Sequence, residues 1–512
     1  MNRPQTIDAL LATGAAAAPA IGAPGRPALS FGALRDHVGA TVSALNTMGI
    51  GRGDRVAIVL DNGPEMASAF VAIAAGATTA PLNPAYRADE FRFYLEDLGA
   101  RLLVVEAGSA SPAVAVAREL GMAVAELSVA EGAPAGAFSL ALAEGSTPTG
   151  QAMAGPVTPD DIALVLHTSG TTSRPKIVPL SQANVCASAA HIGQSLELVP
   201  GDRCLNIMPL FHIHGLIAAV LSSLAAGASV HCTPGFNALK VFAWFDEVEP
   251  TWYTAVPTMH QAILARAPRN EASVKNAQLR FIRSSSSSLP PQVMHELEAT
   301  FGCPVIEAYG MTEAAHQMAS NPLPPAPRYP GSVGIAAGPD VAIMSEDGKL
   351  LEAGQIGEIV IRGPNVTAGY EANDKANAEA FTHGWFRTGD QGVLDESGYL
   401  RLTGRLKEII NRGGEKISPR EVDEILMDHP AVAQVVTFAV PHPKLGEEVA
   451  AAVVLREGME ATETEIRGFC SERLADFKVP RTILFMDEIP KGATGKLQRI
   501  GLAQKLGLVP AS

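Results

Sequence analysis

The sequence predicts an α/β protein with more than one domain. Its 512 residues exceed what a single hydrophobic core usually supports. Between about residues 54 and 310, short apolar runs alternate with longer stretches of helical periodicity, a pattern typical of largely parallel sheets covered by helices. Hydrophobic residues make up 47% of the chain and charged residues 18%, which is the composition of an ordinary globular enzyme.

The first region supplies most of the expected elements. Apolar, β-rich runs predict strands at 55–60, 102–106, 162–167, 203–209, 252–256 and 279–283. Helical patterns predict helices at 65–75, 182–196, 240–249 and 291–301. The apolar run from Gly215 to Val230 is too short to span a bilayer and predicts a buried helix.

Two further regions differ in character from the first. Between about residues 330 and 403, turn pairs such as Asp347-Gly348 and Ser397-Gly398 separate short β-rich runs, which predicts a small antiparallel barrel. From residue 405 the pattern becomes a mixture of helix and strand, so we expect a large domain over 1–404 and a small α+β domain over 405–512.

Charge and cysteine content narrow the function. A net charge of −14 argues against nucleic-acid binding, which normally requires a basic patch. Any phosphate site must therefore be built locally.

The five cysteines are far apart and include no CxxC pair, so we expect no zinc site, no disulfide set and a reducing compartment. The N-terminus is a poor signal peptide. We expect a cytoplasmic monomer or homodimer without membrane insertion.

The segment from His167 to Lys176, HTSGTTSRPK, follows a predicted strand and is rich in hydroxyl groups. Gly170 lets the backbone come close to a ligand, and successive N–H groups in such a turn form an anion-binding nest. Arg174 and Lys176 add positive charge. The spacing differs from that of a Walker loop. The segment predicts a polyphosphate site, although a solvated Ser/Thr-rich turn stays open on this stretch alone.

This loop resembles the phosphate loop of the adenylate-forming superfamily, which includes acyl-CoA synthetases, luciferase and peptide-synthetase adenylation domains. Six further motifs follow in that superfamily's order: PheHisIleHisGly at 211–215, TyrGlyMetThrGlu at 309–313, ThrGlyAsp at 388–390, GlyArgLeuLysGlu at 404–408, GlyGlyGluLys at 413–416 and ThrGlyLys at 494–496. Ser173 and Ile177 depart from it, since glycine is usual there. The resemblance implies a large domain of two α/β subdomains plus the small β-barrel, followed by a mobile small domain.

The resemblance also implies the chemistry. A carboxylic acid attacks the α-phosphorus of ATP, and coenzyme A then displaces AMP. The first step needs Mg²⁺, cationic clamps and positioning because two anions must meet. Glu313 matches the magnesium-associated carboxylate. The residues that match nucleotide contacts are Thr168, Ser169, Gly170, Thr171, Thr172, Lys176, Glu307, Ala308, Tyr309, Thr312, Asp390, Arg405 and Lys496.

Other matches concern catalysis and domain rotation. Lys496 resembles the catalytic lysine, a mobile cation suited to bridging the α-phosphate and the incoming carboxylate; the resemblance adds Glu313, Thr312 and His212 to the catalytic set. Lys407 resembles the hinge residue. Gly413 and Gly414 match the coenzyme A contacts, where bare backbone allows a close approach.

The acyl pocket is implied to lie between the 211–215 motif and the serine-rich segment from Arg283 to Pro291. His214, His316 and Arg283 give it donors and a cation, which suit a small acid with a second carboxylate. An ordinary turn with Arg283 bracing the sheet stays open from the residues alone. A closer resemblance, through TSGTTSRPK, PLFHIHG, LRFIRSSSSSL and MTEAAHQMASNP, is to oxalate–CoA ligases. It favours oxalate, with His214, Ser286, His316 and Arg283 as substrate contacts.

Two alternatives are retained. The first is a coenzyme A ligase for another short- or medium-chain or aromatic acid. The second is a non-catalytic nucleotide-binding protein, which we expect to lack Lys496 or Glu313; both are present.

Overall fold

The computed structural model describes residues 3–168, 175–491 and 497–509. It is an α/β fold with a large N-terminal domain and a smaller C-terminal domain that has its own sheet, as the sequence predicts. None of the described helices is long and apolar enough to cross a membrane.

The strands, numbered along the chain, are β1 (Pro19–Ala23), β2 (Arg26–Ser30), β3 (Arg55–Val59), β4 (Thr78–Pro81), β5 (Leu102–Glu106), β6 (Ala123–Ser128), β7 (Ser139–Leu142), β8 (Ile162–Thr168), β9 (Lys176–Ser181), β10 (Arg203–Asn206), β11 (Ser229–Cys232), β12 (Trp252–Ala255), β13 (Phe281–Ser284), β14 (Val305–Met311), β15 (His316–Ser320), β16 (Ile335–Ala336), β17 (Asp340–Met344), β18 (Gly357–Arg362), β19 (Phe381–Thr382), β20 (Trp385–Leu394), β21 (Leu400–Arg405), β22 (Ile410–Arg412), β23 (Glu415–Ile417), β24 (Val432–His442), β25 (Gly446–Leu455) and β26 (Thr482–Phe485).

The α-helices are α1 (Ile7–Leu11), α2 (Phe31–Thr47), α3 (Pro64–Ala74), α4 (Ala88–Leu98), α5 (Pro112–Glu119), α6 (Gln182–Ser195), α7 (Ser222–Ala225), α8 (Val241–Val248), α9 (Pro257–Leu264), α10 (Glu271–Asn276), α11 (Pro291–Phe301), α12 (Asp374–Ala380), α13 (Pro419–Met427), α14 (Glu463–Ser471) and α15 (Leu502–Lys505). A π-helix spans His214–Leu221, and short 3₁₀ turns include Thr312–Ala314 and Leu406–Glu408.

Two large, mostly parallel sheets form the N-terminal domain. One has nine strands in the order β16-β15-β14-β13-β12-β10-β11-β1-β2, and the other has seven in the order β7-β6-β5-β3-β4-β8-β9. Helix α3 is buried on all sides and contacts strands of both sheets, as expected of a helix that is apolar all round. The two sheets therefore share one hydrophobic core.

The run from Gly215 to Val230 only partly follows its prediction. It is buried and helical at first, as a π-helix that continues into α7. Gly227, at φ +69°, follows the helix in the left-handed conformation that commonly ends one. Val230 then lies in strand β11. π-Helical turns are rare and occur frequently at functional sites; this one begins at His214.

The region predicted as a small barrel forms a five-stranded antiparallel sheet. Its order is β17-β18-β20, with both β19 and β21 paired along the long strand β20. No described pair joins β17 to β19 or β21, so the sheet is open. Strand β19 has only two residues and provides little edge for closure.

The C-terminal sheet has the order β23-β22-β25-β24, with β26 beside β25. Its core includes Ile410, Val422 and Val453. It contacts the large domain directly, because Gln261 Nε2 donates to the carbonyl of Ala433 at 3.1 Å.

Candidate active site

Tyr309, Asp390 and Arg405 form what we call the nucleotide cluster. Asp390 and Arg405 are opposite each other on β20 and β21. Arg405 Nε donates to Asp390 Oδ1 at 2.9 Å, and the hydroxyl of Tyr309 donates to Oδ2 at 2.6 Å. The structure thus brings together three residues from three separate motifs, all of which were predicted to contact the nucleotide.

The charges of this cluster reinforce one another. The Asp390 carboxylate raises the pKa of Arg405 above its usual range. Burial, with Asp390 as the next cause, raises the pKa of the Tyr309 hydroxyl. Tyr309 therefore stays a neutral donor and Arg405 a cation. The cluster is a satisfied ion pair in the absence of any ligand.

Glu313 lies next to this cluster, in the 3₁₀ turn that follows β14. Its Oε1 accepts a hydrogen bond from the Tyr370 hydroxyl at 2.8 Å, and burial raises the pKa of its carboxyl group. Lys176 Nζ is 4.2 Å from the centre of the Tyr370 ring, within the range of a cation–π contact. Lys176 pairs with Thr168 across β8 and β9. Tyr370 thus links the described end of the phosphate loop to Glu313, a role that the sequence analysis missed.

Glu307 and Ala308, predicted nucleotide contacts, hold the serine-rich segment in place. Glu307 Oε1 accepts from the backbone N–H of Leu289 at 2.9 Å, and the carbonyl of Ala308 accepts from Ser285 Oγ at 2.9 Å. Glu307 is 1% exposed, and burial raises the pKa of its carboxyl group to about 7. The Glu307 side chain thus contacts the serine-rich segment, which was predicted to form part of the acyl pocket.

Arg283, His214, Thr254, Ser286 and Gln317 form what we call the acyl cluster. Arg283 Nη1 is 3.4 Å from both His214 Nε2 and Thr254 Oγ1, and its Nη2 donates to Gln317 Oε1 at 3.2 Å. His214 Nδ1 is 2.9 Å from Ser286 Oγ. The sequence missed Thr254 and Gln317, although parallel pairing of β12 with β13 places Thr254 opposite Arg283.

Arg283 is fully buried, yet its partners here are neutral. Among the described residues no carboxylate pairs with it, and its Nε has no hydrogen-bond partner. Burial lowers the pKa of its guanidinium to about 9, so it remains charged at neutral pH. Buried charges are normally paired, so this cation is a candidate site for an anionic ligand.

The backbone around this cluster is strained. Ser286, Ala315 and His316 have φ of +72°, +46° and +102°, values that non-glycine residues rarely adopt and that cluster at functional sites. The His316 ring centre is 5.0 Å from that of His214. A side chain at Gly310 would overlap the carbonyl of His316, so glycine at 310 allows His316 to lie beside His214.

The remaining described matches lie around these clusters. His212 is half-buried, and its Nδ1 accepts from the His214 backbone N–H at 3.2 Å. Thr312 begins the turn that carries Glu313. Lys407 is exposed in the 3₁₀ turn Leu406–Glu408. Gly413 and Gly414 form an exposed two-residue hairpin loop with φ of +60° and +98°; positive φ at both positions is the requirement of a type I′ turn.

Five predicted residues, Ser169, Gly170, Thr171, Thr172 and Lys496, lie outside the described residues. Leu497, which follows Lys496, forms a bridge with Lys491. Lys491 lines a mostly apolar cavity of about 400 Å³ together with Leu210 and Phe211. The described start of the Lys491–Leu497 segment thus faces the same cavity as the start of the 211–215 motif in the large domain.

A larger cavity, of about 740 Å³, lies elsewhere, at the amino ends of β5 and β6 and between residues such as Arg101 and Met122. Ligands of open α/β sheets bind at the carboxyl ends of strands. The clusters described above, which include Thr254, Arg283 and Tyr309 in the carboxyl halves of β12, β13 and β14, are therefore the stronger candidate site.

Comparison with known proteins agrees with this geometry. The family model described as AMP-binding enzyme matches residues 12–371, and the AMP-binding enzyme C-terminal domain matches residues 421–496. The chain is 46% identical over 491 residues to an oxalate–CoA ligase of Arabidopsis thaliana, covering 95% of each chain. It is 42% identical over 475 residues to an oxalate–CoA ligase of Saccharomyces cerevisiae, covering 88% of this chain and 87% of the other.

A solved structure shares the whole architecture. The ATP-bound crystal structure of MatB from Rhodopseudomonas palustris has a TM-score of 0.87 with this chain, at 29% identity and with 99% of each chain covered. The chain belongs to the AMP-binding enzyme family. The predicted membership of the adenylate-forming superfamily is thereby confirmed, and ATP and coenzyme A fit a member of this family as its substrates.

Proposed function

We propose that this chain is an ATP-dependent acid–CoA ligase whose acid is oxalate, with AMP and pyrophosphate as the other products. The observation that carries the choice of acid is the buried guanidinium of Arg283, which has no carboxylate partner among the described residues. The two relatives named as oxalate–CoA ligases support the same choice.

Oxalate suits the acyl cluster because its two carboxylates are joined directly. When one is activated, the other stays ionised and needs a charged or hydrogen-bonded partner close by. Arg283 supplies the charge, while the partly exposed Ser286 and the buried His316 supply polar contacts. An apolar acid would leave the guanidinium without an anion and gain little from these groups.

Activation of the acid requires both clusters. Tyr309, Asp390 and Arg405 hold the adenosine, with Asp390 accepting from ribose hydroxyls. The phosphates are held by Thr168 to Thr172, Lys176 and Thr312. His212 controls the access of the reacting carboxylate. Lys496 bridges that carboxylate and the α-phosphate. Catalysis thus rests on positioning and on fixed positive charge rather than on an acid–base residue.

Glu313 fits a magnesium ion. It is a buried carboxylate whose pKa is raised by burial, so a neighbouring cation would stabilise its charged form. Among the described residues, no three or more His, Cys, Asp or Glu are grouped as a metal cage. That agrees with Mg²⁺, which usually takes one or two carboxylates together with substrate phosphates. When bound, Mg²⁺ neutralises negative charge on the phosphates.

The second half-reaction requires the small domain, 405–512, to turn about Lys407. This rotation withdraws Lys496 from the active site and brings in the Gly413–Gly414 loop. The exposure of Lys407 and of this loop supports that role. Bare backbone at the loop leaves room for the pantetheine arm. The cytoplasmic location and the monomeric or dimeric state stay predictions.

A panel of acids tests the proposal. We expect AMP formation that requires both ATP and coenzyme A, with kcat/KM highest for oxalate and lower for malonate, acetate, hexanoate and cinnamate. Malonate is the close control because its extra methylene shifts the distal carboxylate. A higher kcat/KM for hexanoate or cinnamate would refute oxalate as the acid but not the acid–CoA ligase activity. Absence of AMP formation with every acid would favour a non-catalytic nucleotide-binding protein.

The role of Lys496 is tested by separating the half-reactions. In Lys496→Ala we expect oxalyl-AMP formation to fall by about a hundredfold or more, because a transition-state contact is lost. Thioester formation from supplied oxalyl-AMP should persist. Lys491→Ala is the matched control, since Lys491 bonds to Glu488 on the same segment. Equal losses in both half-reactions of Lys496→Ala would refute the role.

A further inference from the structure

Both ring nitrogens of His214 have protein partners, and one of them faces a group that can only donate. His214 Nε2 is 2.6 Å from Thr254 Oγ1 and 3.4 Å from Arg283 Nη1. A guanidinium has no acceptor. His214 Nε2 must therefore accept, and the ring is the neutral tautomer that carries its proton on Nδ1.

That tautomer fixes the direction of each hydrogen bond in the chain. The hydroxyl of Thr254 accepts from Arg283 at 3.4 Å and donates to His214 Nε2. His214 Nδ1–H then donates to Ser286 Oγ at 2.9 Å. The hydroxyl proton of Ser286 is left for another acceptor. Thr254 and His214 are fully buried, whereas Ser286 is partly exposed, so the chain of donors ends at a hydroxyl group that a ligand can reach.

The amide of Gln317 is oriented by the same reasoning. Its Nε2 donates to the carbonyl of Ala337 at 3.2 Å and to Ser195 Oγ at 2.9 Å. A carbonyl can only accept, so Gln317 Oε1 is the atom that faces Arg283, at 3.2 Å. Arg283 is thereby held in place by a neutral acceptor that does not cancel its charge.

We propose that Thr254 and Gln317 are positioning residues that determine the choice of acid. Thr254 accepts from Arg283 and is the closer donor to His214 Nε2, at 2.6 Å, so it holds His214 in the tautomer that makes Ser286 a donor; Gln317 holds Arg283. This inference rests on the proposed function. In the opposite tautomer Ser286 would donate to His214 Nδ1 and present lone pairs to the ligand, which repel a carboxylate.

The test compares oxalate with oxamate, which has the same shape but an uncharged distal amide. In Thr254→Val, which keeps the shape and removes the hydroxyl, we expect the oxalate-to-oxamate ratio of kcat/KM to fall about tenfold or more, mainly through KM for oxalate. Thr254→Ser should restore the ratio. Thr79→Val is the matched control, because Thr79 is equally buried and donates only to the carbonyl of Ala163, at 2.7 Å.

Nitrogen-15 NMR of histidine-labelled wild-type protein tests the tautomer without any change of fold. The His214 signals, identified by their absence in His214→Gln, should show a protonated Nδ1; a protonated Nε2 would overturn the proposal. An unchanged oxalate-to-oxamate ratio in a folded Thr254→Val would also overturn it. A wild-type protein that does not use oxalate would refute the proposed function, and that result is distinct from either of these.

Discussion

In the nucleotide cluster, the buried carboxylate of Asp390 is paired with Arg405 and Tyr309. In the acyl cluster, the buried guanidinium of Arg283 meets only neutral groups. The first cluster is electrostatically complete without a ligand, whereas the second, as we propose, is completed by the anionic substrate. Changes in the first should therefore affect nucleotide affinity for any acid, and changes in the second should affect which acid is used.

The largest expected effect comes from Arg283→Met. Removing the buried cation should lower kcat/KM for oxalate by about a hundredfold or more, because a desolvated charge contact is lost. The melting temperature should not fall, since an unpaired buried charge is replaced by an apolar side chain. Arg280→Met is the matched control: Arg280 pairs with the buried Asp202, so it should lose stability and keep its acid preference. A fall in melting temperature without loss of oxalate activity in Arg283→Met would contradict the comparison.

A smaller effect is expected from Asp390→Asn. The loss of a charged acceptor should raise KM for ATP by about tenfold, with the preference for oxalate over acetate unchanged. Steady-state kinetics with each acid at saturating and limiting ATP would measure both. An altered acid preference with unaltered KM for ATP would show that ATP affinity and the choice of acid do not depend on separate clusters.

The smallest expected effect is a pH dependence of stability that comes from Glu307, which accepts from the backbone of the serine-rich segment. Its folded pKa is raised from 4.5 to about 7, so the folded state binds more protons than the unfolded state between these values. Stability should therefore fall as pH rises from about 4.5 to 7. Urea unfolding at several pH values should show a weaker fall in Glu307→Gln. Parallel curves for the two proteins would contradict the assignment.

Regular elements were predictable where periodicity is strong. The bounds of β5 (Leu102–Glu106) and α11 (Pro291–Phe301) coincide with their predictions, because alternating or helical burial patterns are local properties of the chain. The π-helix at His214 was not predictable, since an apolar run does not distinguish one helical hydrogen-bond pattern from another.

The candidate site was predictable only in part, and for a physical reason. Tyr309, Asp390 and Arg405 lie in motifs, and the structure brings them together. Thr254 and Gln317 are ordinary strand residues in the sequence. They meet Arg283 because β12, β13 and β15 belong to one sheet, and the order of strands in a sheet is not a local property.

The unpaired guanidinium of Arg283 has a practical consequence for the study of this protein. An acyl cluster that stabilises oxalate through Arg283, as we propose, should also attract formate, chloride or sulfate from a buffer, and these anions would compete for the same positive charge. The apparent KM for oxalate will then depend on the salt in which it is measured, in proportion to the competitor's concentration over its own dissociation constant. Assays in a large organic zwitterionic buffer, with counterions too bulky to enter, report the affinity of the pocket itself.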